Sequence, residues 1–84
     1  SMIKIDNPCV QISCVKESEN ADGTIIRLFN PTNKEQNASL EFGSIPRKAF
    51  LCKMDETKLT PLTITGKKVN INLKKKKIAT IKIQ

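Results

Sequence analysis

The sequence predicts an all-β chain, a small antiparallel β-sandwich of about seven strands. Three observations carry that reading. Eleven Ile, three Val and seven Thr make β-branched residues a quarter of the 84 residues; such side chains are stiff at χ1 and pack well on a pleated sheet. Only four Ala and six Leu favour helix, and no segment shows the 3.6-residue period of an amphipathic one. Apolar residues alternate with polar ones in short runs, and turn signals recur roughly every 8–12 residues.

Residues 1–9 form a lead-in closed by Asn7-Pro8. Val10, Ile12 and Cys14 then alternate with Gln11, Ser13 and Lys16, the pattern of a half-buried strand. The polar loop Glu17 to Gly23 ends in Asp-Gly, a strong turn signal. Thr24 to Asn30 carries apolar groups on both faces (Ile25, Ile26, Leu28, Phe29), which predicts a central strand, and Pro31 stops it because it cannot donate to a ladder. Ala38, Leu40 and Phe42 alternate inward until Gly43-Ser44-Ile45-Pro46 breaks the run. Lys48 to Met54 is the next strand, with Phe50, Cys52 and Met54 on one parity, and Asp55 to Lys58 is a loop. Leu62 and Ile64 mark a short strand or arm closed at Gly66-Lys67. Val69, Ile71 and Leu73 alternate, and beyond a lysine run so do Ala79, Ile81 and Ile83. Antiparallel hairpins of this kind give two sheets packed face to face, in an immunoglobulin-like manner.

Eighty-four residues hold one domain, 1–84, with no internal linker or repeat. A chain of this size buries only about 60% of its unfolded surface, so its stability is modest. Ser1 ahead of Met2 reads as the remnant of a cleaved tag, and a fragment expressed apart from a longer chain is the expectation. Ser1 to Lys4 lacks the apolar core of a signal peptide, and no apolar run approaches the roughly 20 residues that span a bilayer.

Composition excludes more than it assigns. There is no His, the commonest general base and metal ligand. Cys9, Cys14 and Cys52 are odd in number and show no C-x-x-C spacing; they read as buried thiols in a reducing, cytoplasmic compartment rather than as disulfide or zinc ligands. Glu17, Glu19 and Asp22 lie in a loop that does not hold two carboxylates at a glycosidase separation and lacks a calcium-loop spacing, so the loop reads as solvated. No G-x-S-x-G is present for a serine nucleophile. The net charge of +7 is concentrated at Lys74, Lys75, Lys76 and Lys77, with Lys67 and Lys68 nearby. Phosphate or anionic-lipid contact is one reading of the run; a solvated hairpin loop between two edge strands, where Lys deters edge pairing, is the other. Nucleic-acid modules add aromatic stacking platforms; here Trp and Tyr are absent and the three Phe suit core positions, so neither nucleic acid nor a membrane is the expected partner. Arg27 interrupts an apolar strand and calls for a carboxylate or carbonyl partner, with Glu17, Glu41 and Asp55 as candidates.

Taken together, Val10 to Lys16, the acidic loop ending Asp22-Gly23, and the strand Thr24-Ile25-Ile26-Arg27-Leu28-Phe29-Asn30-Pro31-Thr32 resemble the C-terminal β-domain of glycoside hydrolase family 38 α-mannosidases. There a strand ending in Lys, an Asp-Gly loop and an I-x-R-x-[YF]-N-P strand follow one another. Ala49 to Glu56 is similar to the segment leading to the family's N-L-x-E, and Ile78 to Ile83 to its closing E-I-K-T-x-x-[IL] strand; the resemblance covers residues 8–84. Lys77 stands where the family often has Glu, so the basic run is a local feature. The resemblance implies a β-sandwich packed on the remainder of a zinc-dependent retaining exo-glycosidase. The nucleophilic Asp and zinc ligands of such an enzyme lie in an N-terminal (β/α) domain, so no catalytic or metal-binding residue carries over. It implies structural roles for Arg27, Asn30 and Pro31, with the Asn30 side chain capping a turn that Pro31 fixes. Two alternatives stand beside it. A carbohydrate-binding module would stack sugars on aromatic rings that are scarce here. A free-standing basic interaction domain would bind through Lys74 to Lys77 in a salt-dependent way.

Overall fold

The structure, a computed structural model, describes residues 3–84; the expected tag remnant at residues 1–2 lies outside the described residues. The elements are all strands: β1 (Ile3–Ile5), β2 (Gln11–Glu17), β3 (Thr24–Phe29), β4 (Gln36–Phe42), β5 (Ala49–Cys52), β6 (Lys58–Pro61), β7 (Ile64–Thr65), β8 (Lys68–Leu73) and β9 (Ile78–Ile83). Among the described residues no helix is long and apolar enough to cross a membrane. The strands form two wholly antiparallel sheets, β1-β4-β8-β7 and β2-β3-β9-β5-β6. Ile26, Leu28 and Ile81 of the five-stranded sheet meet Ala38, Leu40, Ile71 and Leu73 of the four-stranded sheet in one core, with Val10 beside them.

Nine strands stand where about seven are expected. The lead-in contributes β1, because Ile3 and Ile5 alternate and pack on the core while pairing with Phe42 and Leu40. The expected single arm around Leu62 divides into β6 and β7, one in each sheet, with Leu62 at the crossing. All four β6 residues are exposed, so no burial alternation marks them. The sheet β1-β4-β8-β7 has the A-B-E-D order of an immunoglobulin domain, and β9 beside β5 matches F beside C. The place of the last immunoglobulin strand, G, is taken by β3, from the N-terminal half.

A β-bulge interrupts the pairing of β2, while Ile12 and Cys14 keep the expected half-buried alternation with exposed Gln11, Ser13 and Lys16. Ile12 pairs with inward Leu28, but the register shifts at Ser13, and Cys14 then pairs with outward-facing Arg27. One extra residue at a bulge shifts which residues face each other across the ladder, and Val15, now opposite Ile26, stays exposed at the sheet edge. In β5 the inward parity is Ala49 and Leu51, which pair with Ile83 and Ile81; Phe50 and Cys52 face outward with Lys82 and Thr80. Phe29 also faces outward, paired with Ile78, so of the three Phe only Phe42 packs on the core. Cys9 is exposed and Cys14 half-buried; Cys52 alone fits the expectation of buried thiols, and none is bonded.

Candidate functional site

Three surfaces gather the side chains that carry chemistry. The first is a corner where the two sheets exchange strands. Asn30, at the end of β3, is fully buried (0% exposed). Its Nδ2 donates to the carbonyls of Lys34 (2.7 Å), Leu73 (3.1 Å) and Lys74 (3.1 Å). Its Oδ1 accepts from the Thr32 backbone N–H (3.0 Å) and the Thr32 hydroxyl (2.6 Å). The Asn30 N–H donates to Lys77 O and the Lys76 N–H to Thr32 O, so the turn after Pro31 and the turn after β8 are laced together around one amide. A buried polar group is tolerated when its partners are all supplied.

The lysine run forms the second of these turns. It is not a hairpin loop between edge strands: β8 lies inside the four-stranded sheet and β9 at the centre of the five-stranded one, so residues 74–77 carry the chain from sheet to sheet. Lys76 is left-handed (φ 57°) and its Nζ donates to Pro31 O. Lys74 pairs with Glu35 at 3.1 Å. That contact, with a hydrogen bond from Asn72, holds the Glu35 carboxyl below its ordinary range. Lys75 and Lys77 are exposed and in no ion pair among the described residues. Two of the four cations therefore serve the corner itself.

The second surface is the outer face of the five-stranded sheet. Residues 53–57 fold back across it, held by Lys53 N–H to Thr57 O and Glu56 N–H to Lys53 O, with Glu56 left-handed at φ 70°. Arg27 Nη2 donates to Met54 O at 3.1 Å, and its Nε is buried without a partner. None of Glu17, Glu41 or Asp55 pairs with Arg27. The carboxylate that its field reaches is Glu56, whose Oε1 accepts from the Glu19 N–H at 2.9 Å and whose Oε2 lies 3.3 Å from Lys16 Nζ. The Glu19 hydrogen bond first, then Lys16 and Arg27, hold Glu56 below its ordinary range against burial. Glu56 was hidden from sequence reasoning because only the fold-back of its loop brings it here.

At the far end of this face the acidic loop is not simply solvated. Buried Lys82 reaches Asp22 Oδ1 at 2.7 Å, and the Ser18 hydroxyl donates to the same oxygen at 2.7 Å. The Lys82 hydrogen bond, seconded by Ser18, brings the Asp22 carboxyl down to about 2. A carboxyl depressed in the folded state contributes stability above its unfolded pKa, near 3.9, and loses it as pH falls toward the folded value. Urea unfolding should therefore show stability falling between about pH 4 and pH 2, and Lys82→Met should flatten that slope. Equal slopes in both proteins would show that Asp22 is not the source.

The third surface, the outer face of the four-stranded sheet, is polar. Asp6, Asn37, Ser39, Asn70 and Asn72 line a depression of about 440 Å³. Asn72 donates to Asn37 at 2.8 Å, and Ser39 to Asn70. No aromatic ring lines it.

No described cluster of three or more Cys, Asp or Glu side chains is placed to hold a metal. The model of the glycosyl hydrolases family 38 C-terminal beta sandwich domain matches residues 9–81. The chain belongs to this family. A comparison with curated proteins gave no match. In this family 38 C-terminal sandwich the match takes in Arg27, Asn30, Pro31 and the lysine run, and it leaves out β1 and Lys82. The structure brings Asn30, Pro31 and Lys74 to Lys77 together at one corner; Arg27 sits apart, on the outer face, under the 53–57 loop.

Proposed function

We propose that this domain is the non-catalytic sandwich of a cytoplasmic α-mannosidase, which packs on and stabilises the catalytic portion of a zinc-dependent retaining glycosidase. The family match over residues 9–81 carries the reading. The fate of the polar side chains supports it: Asn30 is consumed by backbone groups and Thr32, and Arg27 is turned under the 53–57 loop, with Nη2 on the Met54 carbonyl. Neither is presented to a substrate. The metal chemistry belongs, on this reading, to the catalytic portion. The proposed partner is the remainder of the parent chain, rather than nucleic acid or a membrane.

The pure domain should not turn over a chromogenic α-mannoside, with or without added zinc. Measurable release of the chromophore by the 84-residue chain, proportional to its concentration, overturns the reading.

A further inference from the structure

We infer that the domain docks on the preceding part of its parent chain through the end of the sandwich where Ile3 and Gln84 meet, an inference that rests on the reading just proposed. A cavity of about 420 Å³ opens between the sheets at this end, with Ile3, Phe42, Ile45, Pro46 and Ile83 as its apolar wall and Asp22 and Arg47 on its polar side. Ile45 is 65% exposed, more than any other large hydrophobic residue of the described chain. It sits in the connection from β4 to β5, where polar turn residues are the ordinary choice.

This end is built rather than frayed. The Arg47 and Lys48 N–H groups both donate to Gln84 O (2.9 and 3.2 Å), and the Gln84 N–H donates to Lys48 O. Gly23 lies so close that a Cβ there would stand 2.5 Å from Ile83 O. An isoleucine held in the open on an anchored loop, beside the apolar wall of a cleft, is the form of a surface made to be covered.

The occupant follows from the direction of β1. Ile3 pairs with Phe42 and Ile5 with Leu40, so β1 runs inward from this end, and on the proposed reading the covalent joint to the preceding portion is made beside the cleft. Arg47 and Asp22 both line the opening, and Lys48 lies beside them, so its rim carries both charges. The segment that fits presents an apolar side chain to Ile45 and Phe42. The lysine run is at the other end of the ladders, where Gln36 pairs with Leu73 and Phe29 with Ile78. It faces away from the joint.

Hydrogen exchange of the isolated domain and of the full-length parent chain tests this. The amides of residues 43–47 should exchange at least about tenfold more slowly in the parent, a difference that corresponds to about 1.4 kcal/mol of added protection. Those of 75–77 should be unchanged. Ile45→Asp in the parent should abolish the added protection; the same change in the isolated domain should leave its melting temperature in place, which separates lost docking from lost folding. Protection gained instead around Met54 and Ile78, or at 75–77, overturns this docking surface and leaves the proposed function standing. A parent without a glycosidase portion ahead of Ile3 overturns the function itself, and the docking surface with it.

Discussion

Asn30→Ala should destabilise the domain by about 3 kcal/mol, because buried groups left without partners cost about 1–3 kcal/mol each. The substitution strips two donors from three carbonyls and an acceptor from the Thr32 N–H. The bond to Leu73 O is wholly buried, where water does not readily replace it. For a domain of this size the loss corresponds to a fall of roughly 15 °C in melting temperature, readable by calorimetry. Asn30→Asp distinguishes hydrogen bonding from shape. It keeps the volume but turns a donor into a carboxylate facing three carbonyl oxygens. Its folded-state pKa is then raised, so the variant should be worst at neutral pH and partly recover as pH falls and the carboxyl protonates. If both variants melt within a degree or two of the parent, the corner is not held by this amide.

Ile81→Ala should cost a similar amount, about 3 kcal/mol within the 2–5 observed for truncating a buried Ile or Leu. Ile81 is fully buried in the central strand, between Ile26 on one side and Leu51 on the other. Neither neighbour can move into the void without breaking its own ladder. Ile78→Ala is the control: it lies on the same strand but is 54% exposed on the outer face, and should change stability by less than about 0.5 kcal/mol. Comparable losses from the two would mean that β9 is stabilised by strand propensity rather than by core packing. With total stability of about 4–13 kcal/mol for 84 residues, either Asn30→Ala or Ile81→Ala removes a large part of it.

What the chain discloses in one dimension is mostly local. Val69, Ile71 and Leu73 alternate with exposed residues, and β8 has that burial pattern. The doubly apolar run from Ile25 to Phe29 is central, between β2 and β9. The Asn30-Pro31-Thr32 turn was legible as a capped turn because Asn and Pro act on neighbours two residues away. Its reach to Leu73, more than forty residues on, was not. The missed features share that cause. The Ser13 bulge depends on how a partner strand pairs. The Glu56 contacts depend on a loop doubling back over the sheet. The lysine run reads as a hairpin until one knows that its flanking strands belong to different sheets. Asp22 looks solvated until Lys82, sixty residues later, is placed beneath it.

The position of β9 also bears on how the chain folds. Without it the five-stranded sheet is two separate ribbons, β2 with β3 and β5 with β6, and an isolated two-stranded ribbon is at best marginal in water. β9 joins them, and it is the last strand of the described chain to leave the ribosome. Sheet closure must wait for its synthesis and then overcome the loop entropy of pairing Phe29 with Ile78. Such long-range pairing places the domain among slow, high-contact-order folders. Until that step the apolar faces of both ribbons stand open, so a nascent chain that stalls before Ile78 is a client for chaperones rather than a smaller version of the fold.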